Sequence, residues 1–410
     1  MGRTMKDSGV EWIGEVPKDW KVGRIGQLYS ERKEKVSDRD YQPLSVTMKG
    51  ILPQLSTAAK SDAHDDRKLV KTGDFAINSR SDRRGSCGIA PCDGSISLIN
   101  TVLKPHEDMD AGFYNWVFHT STFSDEFYKW GHGIVDDLWT TGWQDMKRIS
   151  IPVPSLEEQT RIAVYLDKQC RNIDATIDKT TSSIEEYKKY RQSLISVEAE
   201  KLGGSLTTLG KIIERIEQGW SPSPAERDEL GDWSVLTLAA VKNGRFSESE
   251  VKPFVGSLDR CESLQLQKGD FLLTRSNTRD LVGQVCIVDK KPENCIFSDL
   301  IYRVTFNEKF VDKTFMLLYF QTAAMRQQIC RDAHGSSSTM VKITHKDING
   351  WQIRVPDISK QKAYVSLVLK KCEEIDLVIC KKQQLLTELQ NYKKSLIYEY
   401  VTGKKEVPAV

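Results

Sequence analysis

A chain of 410 residues exceeds what one hydrophobic core usually holds, so two or more domains are expected. Its 39% hydrophobic and 28% charged residues are ordinary for a globular protein. No apolar run reaches the roughly 20 residues that span a bilayer, and the first residues lack a signal-peptide core, so a membrane association is not expected and a cytoplasmic chain is. The net charge of +2 leaves any phosphate-binding surface to local clusters of Lys and Arg. Nine cysteines without repeated C-x-x-C pairs read as reduced thiols.

In chain order, GVEWIGEVPKDWKV (Gly9 to Val22) puts two tryptophans and a proline around a short extended stretch, expected to pin the chain end against the first domain. Short β-like runs then alternate with Gly, Asp and Asn turns: Pro43 to Val46, Phe75 to Asn78 and Ile96 to Leu103, with a helical patch from Ala111 to Tyr128. Residues 1–154 thus read as a mixed α/β globule. A long helix follows within 155–204. Ser155 and Glu158 have capping-box spacing at its start, and Gly203-Gly204 ends it. A second globule spans 205–356, and a second long helix with its tail spans 357–410.

The two halves repeat. Leu166, Cys170, Ile173, Ile177, Thr180, Ile184, Tyr187, Arg191 and Leu194 form a heptad seam with alternating steps of three and four. An ungapped shift of 202 turns it into Val368, Cys372, Ile375, Ile379, Lys382, Leu386, Leu389, Lys393 and Leu396. Ile151, Val153, Pro154 and Gln159 fall likewise on Ile353, Val355, Pro356 and Gln361. In the globules, Gly73-Asp74-Phe75 corresponds to Gly269-Asp270-Phe271, and PLSVTMKG (from Pro43) loosely to VLTLAAVKNG (from Val235). Two copies of one seam most economically pair with each other, antiparallel, as an isologous contact requires. The expected interface comprises Leu166, Ile173, Ile177, Ile184, Tyr187 and Leu194 against Val368, Ile375, Ile379, Leu386, Leu389 and Leu396. The 28 residues from Leu166 to Leu194 would measure roughly 42 Å, on the order of one turn of DNA. The polar seam positions, Thr180 and Lys382 and Arg191 and Lys393, would weaken the packing but fix register, or their long stems would only snorkel.

Catalytic signatures are missing from the sequence. It has no Gly-rich phosphate loop, no Pro-Pro for a base-gripping tetrapeptide and no H-E-x-x-H. Cys87, Cys92 and His106 lack the spacing and the fourth donor of a zinc site, and Asp136-Asp137 reads as a solvated loop, so neither a catalytic nor a metal residue is assigned. Two polar loops are more informative. Asn78-Ser79-Arg80-Ser81-Asp82-Arg83-Arg84 and Arg275-Ser276-Asn277-Thr278-Arg279 each follow a Gly-Asp-Phe strand. Arginine forks match guanine edges and phosphates, Asn matches adenine, and Ser or Thr hydroxyls bind phosphate. The candidate DNA contacts are therefore Asn78, Ser79, Arg80, Arg83, Arg84, Arg275, Ser276, Asn277, Thr278 and Arg279. Weaker ones are His132, His334, Arg245 and Lys342, with Trp139 beside them.

Two variable globules alternating with two repeated helices resemble the specificity (S) subunits of type I restriction-modification systems. SGVEWIGEVPKDWKV looks like the start of that family, IPVPSLEEQTRIAVYLD (Ile151 to Asp167) like its approach to the first conserved helix, and GDFAINSRSDRRGSCGIA and GDFLLTRSNTRDLVGQV like its target recognition segments. Lys360, standing where Glu158 stands in the first copy, departs from the family pattern. The resemblance implies an α+β fold: two mixed α/β target recognition domains separated by two long antiparallel, coiled-coil-like helices with an internal pseudo-two-fold repeat. It implies a chain without catalysis or cofactor of its own, in which each domain reads one half of a split, asymmetric site in double-stranded DNA. Two modification subunits would bring S-adenosylmethionine and adenine-N6 methylation, and two restriction subunits, where present, would use ATP and Mg2+. The rival readings are a stand-alone DNA-modifying enzyme and a coiled-coil adaptor that binds no DNA.

Overall fold

A computed structural model of the chain describes residues 3–54, 64–133, 139–223, 231–255, 261–335 and 340–408. It divides into two compact units, Met1–Thr181 with Gln384–Val410, and Ser182–Gln383. Each unit therefore holds one mixed α/β globule together with one part of each of two long helices.

In the first unit a four-stranded antiparallel sheet runs in the order Cys87–Ile89, Phe75–Asn78, Asn100–Pro105, Tyr29–Glu31. In the second unit the order Val285–Ile287, Phe271–Thr274, Ile301–Phe306, Ile213–Gln218 repeats it. The duplicated Gly-Asp-Phe explains why both sheets start alike. Gly73 and Gly269 take φ of +87° and +91°, a turn only glycine enters without strain. The carboxylates behind them close that turn, Asp74 accepting from the Lys71 N–H and Asp270 from the Gln267 N–H, each at 2.9 Å. Arg32 pairs with Asp74 and Arg303 with Asp270. Phe75 and Phe271 then enter the core fully buried, worth roughly 1.5–3 kcal/mol each by transfer.

Two sequence expectations are refined. The run from Ile96 to Leu103 is two strands, Gly94–Ile96 and Asn100–Pro105, in different sheets. The helical patch is also two elements, Ala111–Phe118 and Ser121–Lys129, because Thr120 restarts the chain: its hydroxyl accepts from the Phe123 N–H as an N-cap. Asp110 caps the first of them, and Asp312 and Thr322 cap Lys313–Tyr319 and Ala323–Asp332 at the same offset in the second unit. The loose match of Pro43 to Val235 has a structural counterpart. Pro43 bridges Ser95 in parallel, and Trp233–Leu236 pairs in parallel with Cys295–Phe297.

The long helices are Leu156–Glu200 and Ile358–Val401, neither interrupted by Gly or Pro. They run antiparallel within each unit. In the first, Tyr165 stacks on Tyr400 at 4.7 Å and Lys393 meets Asp174 at 2.6 Å. In the second, Arg191 meets Asp376 at 3.1 Å, Lys382 lies over the Tyr187 ring, and the Tyr364 hydroxyl donates to the Ile195 carbonyl. Asp376 is Asp174 shifted by 202, as Lys393 is Arg191, so one cross-helix ion pair occurs in both units with its partners exchanged. Of the seam residues, Leu166, Ile173, Ile184, Leu194, Val368, Ile375, Ile379 and Leu396 are buried, while Ile177, Tyr187, Leu386 and Leu389 are half-buried. Thr180 is buried with its hydroxyl returned to the Thr176 carbonyl.

Each helix start is tied to its globule by one glutamine. The Gln159 side chain accepts from the Asp110 N–H and donates to the Pro154 carbonyl. Gln361 does the same with Asp312 and Pro356, and adds the Phe310 carbonyl. The reciprocal capping box expected of Ser155 and Glu158 is only half used. Ser155 Oγ accepts from the Glu158 N–H, but the Glu158 carboxylate takes Arg3 and the Trp20 indole N–H. That anchors the N-terminal segment, whose Trp12, Ile13, Val16 and Trp20 share one cluster with Leu396, Ile397, Tyr400 and Val401.

Candidate nucleic-acid interface

The polar loops leave equivalent strands through equivalent backbone bonds. Asn78 donates its N–H to Ser86 and Thr274 to Gln284, both at 2.8 Å, closing each loop at its base. The next residues, Ser79 and Arg275, donate to Ile99 and Leu300, and their carbonyls accept from Thr141 and Ile343. Arg80 then bridges Thr140, as Ser276 pairs with Lys342. By this register Arg275 corresponds to Ser79, not to Arg80, and Arg83 stands level with Arg279.

The candidate side chains separate into two groups. Asn78, Ser79 and Ser276 are buried and engaged inside the protein. The Asn78 carboxamide accepts from the Arg80 N–H, Ser79 Oγ shares a hydrogen bond with Thr101, and Ser276 donates to the Val341 carbonyl. Arg275 is half-buried, giving Nη1 to the Asp299 carbonyl with its guanidinium near the Tyr302 ring. Asn277 accepts from the Thr278 N–H through its side chain. The outer group is Arg80, Arg83, Arg84, Thr278 and Arg279. Arg83 is 69% exposed beside Asp82, while Arg84 lies over the Tyr128 ring with Asp125 at 3.4 Å. Arg279 is exposed and leans on the Cys330 carbonyl, and Thr278 is exposed.

His132 and His334 are exposed and sit on short bridges to Thr140 and Lys342. Each faces a carboxylate, His132 Nε2 at 3.6 Å from Asp145 and His334 Nε2 at 3.4 Å from Asp347. Sequence reading did not single out these acids, although both lie at the offset of 202 already seen in the helices. The exposed Arg245 pairs with Asp376, the exposed Lys342 continues the bridge beside the second loop, and Trp139 offers its carbonyl to the Ser81 N–H. Asp136-Asp137 lies outside the described residues. Cys87 lies beside His119, not His106, whose Nδ1 meets the Gln27 carbonyl. Burial pushes the Cys87 thiol up and the His119 imidazole down, so both stay neutral. Among the described residues no group of three or more His, Cys, Asp or Glu is placed to hold a metal ion.

Residues 206–387 match the family described as the type I restriction modification DNA specificity domain. The chain is 24% identical over 438 residues to the MjaVIII specificity subunit of Methanocaldococcus jannaschii, covering 96% of this chain and 94% of that protein. It is 24% identical over 179 residues to the EcoEI specificity subunit of Escherichia coli, covering 42% of this chain and 30% of that one. A chain from a structure on complex assembly of the type I R-M system superposes with a TM-score of 0.74 at 14% identity, covering 95% of this chain and 99% of that chain. The second globule and the first part of the second long helix thus match that specificity domain, and nearly the whole chain is similar to type I specificity subunits.

In this chain the frame and the displayed groups are chemically distinct. The frame consists of backbone bonds and buried side chains present in both units. What it displays, mainly Arg83 and Arg84 with the partly exposed Arg80 beside Asp82 in one loop and Thr278 and Arg279 in the other, is polar and solvent-facing. Such groups form charge-assisted hydrogen bonds with phosphate or base edges at little desolvation cost.

Proposed function

We propose that this chain is the DNA-reading subunit of a type I restriction-modification complex. Each globule reads one half of a bipartite, asymmetric site, and the helix pair sets the unread spacer and docks the methyltransferase subunits. The supporting observation is the pair of loops: one backbone register, emerging after one Gly-Asp-Phe turn, presents unlike sets of exposed cationic and hydroxyl side chains. A duplicated frame with divergent displays suits two unlike half-sites. Catalysis falls to the partners: two modification subunits binding S-adenosylmethionine, and two restriction subunits, where present, using ATP and Mg2+. The chain itself needs no cofactor.

The test uses the chain assembled with its modification subunits. Arg83→Ala and Arg279→Ala should each weaken binding to the methylated motif by about 1–3 kcal/mol, and each should relax discrimination at a different half-site. Unchanged affinity and site choice in both variants would remove these loops from recognition. Methylation or cleavage of DNA by the chain alone, supplied with Mg2+ and S-adenosylmethionine, would overturn the reading as a whole.

A further inference from the structure

The second unit contains a cleft of about 790 Å3 whose lining carries five cations and one carboxylate. Lys188 and Arg191 come from the first long helix, Lys242 and Arg245 from a hairpin, and Arg326 from Ala323–Asp332. The carboxylate, Asp376, is held by Arg191 and Arg245 together. Lys188 has Glu185 outside the lining, and Lys242 is exposed. Arg326 is half-buried and gives its N–H groups to the carbonyls of Val282 and Asp280.

The first unit shows that the frame does not require these charges. Its hairpin Leu44–Thr47/Gly50–Pro53 turns through Met48-Lys49, as the second turns through Asn243-Gly244. The pairs that close the two turns are Lys242 with Arg245 and Thr47 with Gly50, so Lys242 stands where Thr47 stands, and Arg245 where Gly50 stands. At the offset of 202, Lys188 corresponds to Gln390 and Arg326 to Ser124. Only Arg191 has a cationic counterpart, Lys393, which Asp174 answers. Gathering like charges in a concave site raises the free energy of the free protein, and an anion entering the cleft relieves it. Three of the five are guanidinium groups, whose planar forks suit phosphate oxygens, and Asn243 and Gln284 also line the cleft, the Gln284 side chain accepting from the Asn243 N–H.

We propose that this cleft binds phosphate oxyanions, supplied either by a DNA backbone or by a free polyphosphate. The first source rests on the DNA-reading role proposed above, and the second does not.

The full-length protein is titrated with inorganic tripolyphosphate, and separately with a duplex lacking the recognition motif over a range of salt, as wild type and as Lys242→Ala/Arg245→Ala. Loss of tripolyphosphate affinity by about tenfold or more in the variant assigns the free source. A fall of about two in the salt slope of duplex binding assigns the backbone source. Equal behaviour of variant and wild type with both ligands overturns the proposal. So does poly-glutamate binding as tightly as tripolyphosphate with the same loss, since that marks an acidic protein partner. Arg279→Ala serves as the separating control. If it abolishes site choice while the double variant changes nothing, recognition stands and the cleft falls. Thermal unfolding of the double variant checks that the hairpin has folded.

Discussion

Ser79 in the first unit and Arg275 in the second occupy one place in the frame, with the same backbone donor and acceptor bonds, yet one is a buried hydroxyl and the other a half-buried guanidinium. Around them, the groups that satisfy backbone and close turns are shared: the left-handed glycines, Asp74 and Asp270, the capping Asp110 and Asp312, and Gln159 and Gln361. The hairpins diverge in the same way, Thr47 and Gly50 against Lys242 and Arg245. Few residues set the backbone, and those few are the ones a duplication keeps. The rest can differ because backbone bonds shared by both units already close the frame, and contacts such as Arg275 to the Asp299 carbonyl are added to it.

If the frame is equivalent in both units, breaking it should cost alike. Phe75→Ala and Phe271→Ala each remove a fully buried ring and should each lose about 3–5 kcal/mol in denaturant unfolding. A large loss in one unit and little in the other would show that the sheets do not bear equal weight. Removing the glutamine ties tests the comparison more finely. Gln361→Ala leaves the Asp312 N–H and two carbonyls without their partner, and Gln159→Ala leaves the Asp110 N–H and one. Both should destabilise by about 1–3 kcal/mol, Gln361→Ala the more. The exchanged ion pairs rank lower. Double-mutant cycles should give a coupling of about 0.2–1 kcal/mol for Asp174 with Lys393. The value for Asp376 with Arg191 should be larger, since that pair is less exposed and Arg245 joins it.

Much of this was legible in the chain. The seam of threes and fours, the ungapped shift and the Gly-Asp-Phe repeats place both helices and both sheets, because periodicity and turn chemistry act over a few residues. The loop register is legible by counting: Ser79 and Arg275 each stand six residues after Gly73 and Gly269, and the backbone bonds to Ile99 and Leu300 agree with it. The long-range partner of Glu158 was hidden: a capping spacing is local, but the carboxylate follows Arg3 and Trp20, which only folding brings near. Nor does polarity alone reveal that Asn78, Ser79 and Ser276 are buried. Each has a polar partner indoors: the Arg80 N–H, the Thr101 hydroxyl and the Val341 carbonyl.

The smallest expected effect concerns the carboxylate that faces His334. Burial pushes the Asp347 carboxyl upward, but bonds from the Thr344 hydroxyl and N–H, with His334 alongside, outweigh it and hold it below the ordinary carboxylate value. A folded-state value lowered in this way contributes stability that is fully present above the unfolded value, about 3.9, and is lost as pH falls through the folded one. The second unit should therefore weaken on the acid side of about pH 4. Asp347→Asn abolishes that titration while keeping a side-chain oxygen near Thr344, so its unfolding midpoint in urea should fall less steeply with acidification than that of the wild type. Parallel curves for the two proteins would mean that Asp347 contributes nothing to acid sensitivity, and that its bonds to Thr344 matter only for the shape of the turn.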